Sequence, residues 1–528
     1  MEDDDRQGSL KEPLGSRKGA DGGMLFSGRV AATPKNEAYG RSRTSDKHSN
    51  HLPPFAVILT ISASLGGLII GYDTSVISSA AILITDEFDL SSTQEEILVS
   101  VAVASAAASS FFGGPLMQYW GRRKVIISAG VIFILGAILL AAAMSYVDLV
   151  FGRFVRGIGI GLASLACPVY IAEAAPSHFR GKLVTLNTLL FSSGQVIAGL
   201  VGGIFSTTTG GWRYMLGLSG VPAVLMTLGF MFLPKSPRWL VAVGRQNKAL
   251  SCLQQIRGTP DVHAELEEIV ASSTDYTGAG GEAKLKQGAT VGEILQDPKI
   301  RRALVLGCGL HLLQQLCGIN TLMYYSATIC SMAGFGDELS IWLSAVTAAS
   351  QAIGVCLGLV FIERFGRRFL VLTSLSLVIM SLISLGLGFV LYDASSSDEI
   401  YGRLVVLSMM LYLFTFGFGM APVPWAVNAE VFPNHARSLG NSASTTVNWL
   451  GSCLVSATFL TLADSPLGKA GTFWLYAVIG VMGWLWLHST MPETKGVPLE
   501  EAGHLFAREW DPVPSVDPGG LKEDDVRA

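Results

Sequence analysis

"AEAAPSHFR" at residues 172–180 returns as "AEVFPNHAR" at 429–437, with Ala-Glu, Pro, His and Arg all displaced by 257 residues. Shorter matches flank this pair. "GRRK" from 121 answers "GRRF" from 366, and "PKSPRWL" from 234 answers "PETKGVPL" from 492. Similarity at a nearly constant offset marks a duplicated unit, so the chain is expected to fold as two related halves.

Each half is apolar enough to sit in a bilayer. Of 528 residues, 50% are hydrophobic and 15% charged, whereas soluble domains carry about 25% charged residues. A bilayer crossing needs about 20 apolar residues. Twelve such windows lie near 54–80, 97–117, 124–145, 148–172, 183–205, 213–233, 303–331, 338–361, 369–392, 403–427, 440–463 and 471–490. The expected fold class is an all-α membrane protein of twelve helices in two bundles, 53–233 and 303–491. The one long polar connection, 234–302, separates them and contains "PDVHAELEEIVASS" and "TVGEILQD", both spaced as short helices, around a flexible "TDYTGAGGEAKLKQG". Two six-span halves around such a linker are a transporter layout, with a small-molecule site near the midplane between them.

Lys and Arg in the short loops set the orientation. "YWGRRK", "SHFRGK", "ERFGRR" and "NHAR", which follow the even-numbered spans, are basic, whereas "DEFDLSSTQEE", "SYVD" and "DASSSDEIYGR" on the other side are acidic or nearly so. Both termini are therefore expected in the cytoplasm. Residues 1–52 are polar and of mixed charge, with no apolar core of a cleavable signal, and are expected to be a disordered tail; 492–528 form a second tail. A net charge of −4 is too small to imply a nucleic-acid partner. The seven cysteines show no CxxC spacing, and all but Cys252 fall in apolar runs, so they read as small buried hydrophobes.

Inside the first span, "GYDTSVIS" places the charge of Asp73 in otherwise apolar, small or hydroxylated surroundings. A carboxylate near the bilayer centre costs about 2.5–3.5 kcal/mol even on insertion scales, so a partner is expected. The fourth span supplies arginines in "FGRFVRGIGIG", at Arg153 and Arg156. Its glycines do not follow G-x-G-x-x-G after a strand, which argues for close helix packing and against a dinucleotide loop. In the seventh span, Gln314, Gln315, Asn320, Tyr324 and Tyr325 offer the neutral donors and acceptors that polyol recognition needs. Gly318 would permit a local break that turns Asn320 inward. Hydrogen-bonded glue between helices accounts for the same residues equally well from spacing.

The ordered set "GYDTSVIS", "GRRK", "GRFVRGIGIG", "PKSPRWL", "QQLCGIN…YYS", "FGRR", "PVPW" and "PETKG" resembles the sugar-porter family of the major facilitator superfamily over roughly 53–505. "QQLCGINTLMYYSATI" and "PVPWAVNAEVFP" look most like its proton-coupled myo-inositol branch. The resemblance implies proton-coupled symport of a polyol or sugar by alternating access, without enzymatic activity. It implies no cofactor and no metal, the proton being the coupling ion. The implied partners are the polyol or sugar, protons and the lipid bilayer, for a functional monomer in the plasma membrane.

By the same resemblance, Asp73 matches a proton-binding aspartate and Arg153 a membrane-embedded arginine. Burial favours the neutral acid and the cation favours its anion, a balance that lets a proton load and unload. A static ion pair is the structural alternative. Gln195, Gln314, Gln315, Asn320, Tyr325, Trp425 and Asn448 match sugar-contacting positions. Thr188 stands where hexose carriers usually have Gln, and Gln351 where they usually have Asn, which points away from hexose. Arg122, Arg123, Glu173, Arg180, Glu363, Arg367, Arg368, Glu430, Arg437 and Glu493 match an inter-helix salt-bridge network that gates the cytoplasmic face. Lys235 replaces an acid of that network, so a latch weaker in the first half is expected. A facilitative hexose uniporter, disfavoured by Asp73, and a sugar sensor, disfavoured by the short C-terminal tail, are the competing readings.

Overall fold

A computed structural model of the protein describes residues 53–176, 180–275, 284–285, 292, 296–395, 399–432 and 436–495. The first half contains α1 (Pro54–Phe88), α2 (Ser92–Trp120), α3 (Arg122–Ala141), α4 (Tyr146–Ala174), α5 (Arg180–Phe205) and the pair α6 (Gly211–Leu218) and α7 (Gly220–Phe232). The first helix runs eight residues past the expected end at 80, because "AILITDEF" continues it until Asp89 takes a left-handed conformation. Reciprocal capping boxes start two of these helices, Ser91 with Gln94 and Ser145 with Asp148, satisfying backbone N–H groups that the first turn leaves open.

Small residues let these helices approach closely. A Cβ added at Gly157 or Gly161 of α4 would collide with the backbone oxygen of Ala102 or Ala106 in α2. "GIGIG" is thus a packing seam. Large apolar side chains such as Phe111, Phe112, Ile138 and Phe151 are exposed on the outer surface, as a bilayer-facing wall requires. Among the described residues, eleven helical stretches are long and apolar enough to span a membrane.

The connection between the halves carries α8 (Pro237–Ala242), α9 (Gln246–Arg257) and α10 (His263–Ser273). Trp239 Nε1 donates to the Gln118 carbonyl at 2.8 Å, and Arg257 Nη1 to that of Ala174 at 2.8 Å. These contacts fasten the short helices to the first half. Within the stretch expected to be flexible, β1 (Thr274–Asp275) pairs antiparallel with β2 (Lys284–Leu285). Most of "TVGEILQD" lies outside the described residues.

The second half contains α11 (Pro298–Leu316), α12 (Ile319–Tyr324), α13 (Ser326–Met332), α14 (Asp337–Phe365), α15 (Arg367–Ala394), α16 (Glu399–Thr415), α17 (Pro422–Val431), α18 (Arg437–Ser456), α19 (Phe459–Asp464) and α20 (Gly468–Thr490). The expected span at 303–331 is broken. Gly318 adopts φ +86, a left-handed conformation that side chains resist, and a Cβ there would meet the Tyr476 ring. The span near 403–427 is also interrupted, by a π turn at Phe416–Met420. Pro424 lacks the N–H that would bond the carbonyl of Met420 four residues back. Gln314 Nε2 takes that carbonyl instead, at 2.7 Å. A polar side chain from one broken helix thereby repairs another, as the bilayer interior demands.

Candidate functional site

Asp73 is 4% exposed and faces two arginines. Arg153 Nη1 donates to both carboxylate oxygens, at 3.0 and 3.1 Å, while its Nε reaches the Leu98 carbonyl at 3.2 Å. Arg156 Nε lies 2.5 Å from Asp73 Oδ1. The Arg156 guanidinium also sits 4.8 Å from the Phe133 ring centroid, and its Nη1 and Nη2 have no hydrogen-bond partner among the described residues. With Asp73 ionised, the group holds two cations to one anion. The i, i+3 spacing of Arg153 and Arg156 places both on one side of α4, but nothing in the sequence tied Arg156 to Asp73.

A small cavity of about 10 Å³ has Asp73 and Thr74 of α1 on one wall and Tyr324 and Trp449 of the second half on the other. The charged pair therefore borders the space between the halves. Trp449 Nε1 donates to Ser164 Oγ of α4 at 3.2 Å, close by in the same seam.

Gln314, Gln315, Asn320 and Asn448, four of the residues expected to read a polyol, gather around the break in the seventh span. Asn448 Nδ2 donates to Gln314 Oε1 at 2.9 Å, and Asn320 Nδ2 to Gln315 Oε1 at 2.7 Å and to Ser452 Oγ. The Tyr325 hydroxyl is committed to the Ser456 carbonyl at 2.8 Å, and its ring packs on Phe459. Gln195 and Gln351 are buried, and the Oε1 of each lacks a hydrogen-bond partner among the described residues. Thr188 is half-buried on α5. Trp425 is half-buried too, and its ring stands at 77° to that of His311, centroids 4.6 Å apart. His311 was not singled out by sequence. It is fully buried three residues before Gln314, with Nδ1 3.1 Å from Asn448 Nδ2.

Matching ion pairs sit at the starts of α3 and α15, one in each half. Arg122 Nη2 lies 2.7 Å from Glu173 Oε1, and Arg367 Nη2 2.9 Å from Glu430 Oε1. Ser236 Oγ donates to Glu173, and Thr494 Oγ1 to Glu430 at 2.6 Å. Arg123 reaches the Phe230 and Met231 carbonyls, and Arg368 that of His488. The side chains of Arg180, Glu363 and Arg437 lie outside the described residues. Among the described residues of this network, the halves differ where Glu493 answers Lys235. Glu493 accepts the backbone N–H groups of Arg367 and Arg368, at 2.9 and 3.0 Å, and so caps α15. At the corresponding place, Lys235 points its ammonium at the Trp239 ring, 5.4 Å away. Burial, then the charges of Arg245, Lys124, Lys248 and Arg123, hold Lys235 below the ordinary lysine range.

Across the opposite end, hydrogen bonds join the halves. Glu96 accepts from Thr461 N at 2.9 Å and Thr461 Oγ1 at 2.6 Å, and Ser92 Oγ donates to Asp464 at 2.9 Å. Ser78 Oγ lies 2.9 Å from Ser326 Oγ and accepts from Ala327 N at 2.9 Å. Ser78 and Ser326 lie in the quoted "GYDTSVIS" and "YYS" with no role attached, and Ser92 and Glu96 in "DEFDLSSTQEE", read as an acidic loop.

Residues 59–506 match the Sugar (and other) transporter family. The human "Proton myo-inositol cotransporter" is 38% identical, over 86% of this chain and 82% of the relative. The Arabidopsis thaliana "Probable inositol transporter 2" is 34% identical, over 86% and 92%. Among solved structures, the proton:xylose symporter XylE bound to 6-bromo-6-deoxy-D-glucose aligns with TM-score 0.69 at 27% identity, covering 87% of this chain and 100% of the other. A partially occluded inward-open conformation of XylE from E. coli also gives 0.69, over 84% of this chain and 100% of the other.

Proposed function

The chain belongs to the sugar (and other) transporter family, the sugar porters of the major facilitator superfamily, and from that premise we propose that it is a proton-coupled symporter of a neutral polyol, with myo-inositol preferred. One observation supports this more than any other. Asp73, the carboxylate paired with Arg153 and Arg156, lines one small cavity together with Tyr324 and Trp449 of the second half. Any motion that opens the seam between the halves changes the surroundings of the acid and of the polyol site together, which is what coupling requires.

The charge count defines the step. Protonating Asp73 in the observed arrangement would leave two buried guanidiniums without their anion, a costly state. Proton loading is therefore tied to α1 and α4 shifting apart, so that Arg153 and Arg156 find other partners or water. The neutral amides of Gln314, Gln315, Asn320 and Asn448 then bind ring hydroxyls, and Trp425 covers the C–H face. Thr188 and Gln351, on α5 and α14, are in this reading the positions that separate a polyol from a hexose.

The ion pairs Arg122–Glu173 and Arg367–Glu430 belong to the gate on the cytoplasmic side, a reading that the basic loops support. In this reading the protein works as a monomer in the plasma membrane, and the proton is its coupling ion with no further cofactor. The test is uptake of radiolabelled myo-inositol and glucose into proteoliposomes, with and without an inward proton gradient. Inositol accumulation driven by the gradient is expected. Uptake of neither compound would end the transport reading, and glucose uptake indifferent to pH would replace symport by facilitation.

A further inference from the structure

We propose that the first half carries a binding site for the phosphate of an anionic phospholipid, built from Arg123, Lys124, Lys235, Arg245 and Lys248 on the face of the basic loops. The duplication isolates this feature. Loop cations that only orient a span are expected in both halves, yet two positions of the repeated motifs are more positive in the first half. Lys124 of "GRRK" stands where "GRRF" has Phe369, and Lys235 stands where Glu493 caps α15. The linker then adds Arg245 and Lys248, both exposed around the start of α9. Among the described residues no carboxylate forms a salt bridge with any of the five. Glu173, the acid of the first-half latch, is already taken by Arg122 and Ser236.

Packing brings the five together. The Trp239 ring lies against Gly121, where an added Cβ would meet it, and its Nε1 donates to the Gln118 carbonyl at 2.8 Å, so α8 is held at the turn between α2 and α3. Lys235 points its ammonium at the same ring, and Arg123 reaches from α3 to the Phe230 and Met231 carbonyls at the end of α7. Burial, and then the charges of Arg245, Lys124, Lys248 and Arg123, hold Lys235 below the ordinary lysine range. Like charges gathered this closely repel, and a bound phosphate relieves that repulsion. The depth suits a lipid headgroup. Phe232, 83% exposed, and Met231 end the apolar wall of α7, while Tyr119 and Trp120, exposed as well, end that of α2. Aromatic side chains in such places mark the boundary between hydrocarbon and headgroups. The cations beside them therefore stand at phosphate level, where each adds to the attraction for an anionic leaflet. The acyl chains of a lipid lie along the exposed apolar wall, a contact that a soluble phosphate lacks.

The test uses the purified full chain in a neutral detergent, titrated with phosphatidylglycerol, phosphatidylcholine or inorganic phosphate, and reads the half-saturating concentration from thermal stabilisation. Phosphatidylglycerol is expected to stabilise the protein, less so at high salt, and the other two are not. A lysine beside an anionic surface contributes about fivefold in affinity, so Lys124→Gln with Lys248→Gln should raise the half-saturating concentration about 25-fold. Lys124→Arg with Lys248→Arg keeps the charge and should keep the binding. Lys299→Gln with Arg301→Gln removes equal charge at the start of α11 and should leave the binding unchanged. Equal stabilisation by inorganic phosphate would make this a soluble-phosphate site and overturn the lipid assignment. An equal loss in the α11 variant would mean that net charge alone attracts the lipid. No stabilisation of the wild type, or a phosphatidylglycerol effect unmoved by Lys124→Gln with Lys248→Gln, would overturn the site. None of these readouts depends on transport, so the proposal stands or falls apart from the symport reading.

Discussion

At the scale of single residues, the centre of this protein is a charge imbalance. Asp73 stands between Arg153 and Arg156, all three buried, and a buried ion pair is expensive to break from one side. Asp73→Asn is expected to abolish accumulation of inositol against its gradient while retaining some exchange in proteoliposomes. It should also destabilise the fold by about 3–5 kcal/mol, because two guanidiniums lose their anion. Adding Arg156→Leu should recover part of that loss, read as a higher melting temperature than Asp73→Asn alone, without restoring accumulation. Unimpaired proton-driven accumulation in Asp73→Asn would reduce the aspartate to a structural partner. The pairing with Arg153 was anticipated, since a lone acid in an apolar span calls for a cation. The closer approach of Arg156 depends on rotamers that no pattern of residue types encodes.

At the scale of helices, both halves reuse one piece of sequence with different chemistry. Gly121 and Gly366 turn the chain at φ +84 and +88 before α3 and α15, and in each half a hydroxyl from the later motif, Ser236 or Thr494, holds the glutamate of the ion pair. Of these two helices, α15 has its first N–H groups capped by an acid, Glu493. Lys235 cannot accept a hydrogen bond and sits among cations, so the first-half latch lacks this support. Lys235→Glu is expected to cap α3, add about 1 kcal/mol of stability and slow turnover, measured by thermal melting and initial uptake rates. Unchanged transport kinetics would show that the asymmetry has no part in gating. The break at Gly318 and the π turn before Pro422 follow from local residue chemistry. That Gln314 fills the carbonyl freed by Pro424 could not be foreseen, because it joins two helices 106 residues apart in sequence.

At the scale of the whole molecule, hydrogen bonds join the halves at the face opposite the Arg122–Glu173 and Arg367–Glu430 pairs. Glu96 of α2 holds Thr461 at the start of α19, and Ser78 of α1 holds the first turn of α13. Thr461→Val removes the hydroxyl donor at 2.6 Å but leaves the backbone N–H bound, whereas Glu96→Gln weakens both contacts. A hydrogen bond to a charged group contributes about 1.5–3 kcal/mol. Glu96→Gln should therefore raise the population open at that face by about tenfold, and Thr461→Val by less. Alkylation of a cysteine placed at Ser78, followed with a reagent added from that side, would report the change. Equal labelling in wild type and Glu96→Gln would mean that other contacts keep the face shut.

The duplication, the number of spans, the basic loops on one side and the presence of a buried acid with arginines near it were all present in the order of residues. Each of these is a local property: hydropathy over about 20 residues, repeat offset and loop charge survive without knowing how helices rotate. What depended on folding was which atoms meet across long separations. Asp73 and Arg153 lie 80 residues apart, Gln314 and Asn448 134, and Glu96 and Thr461 365. Such contacts are set by helix rotation and crossing angle, to within a fraction of a hydrogen-bond length. The substitution of hydrophobic residues for one another leaves the twelve-span pattern unchanged but moves those angles. For that reason the second arginine on Asp73 and the hydrogen bonds at Glu96 emerged only once the helices were packed.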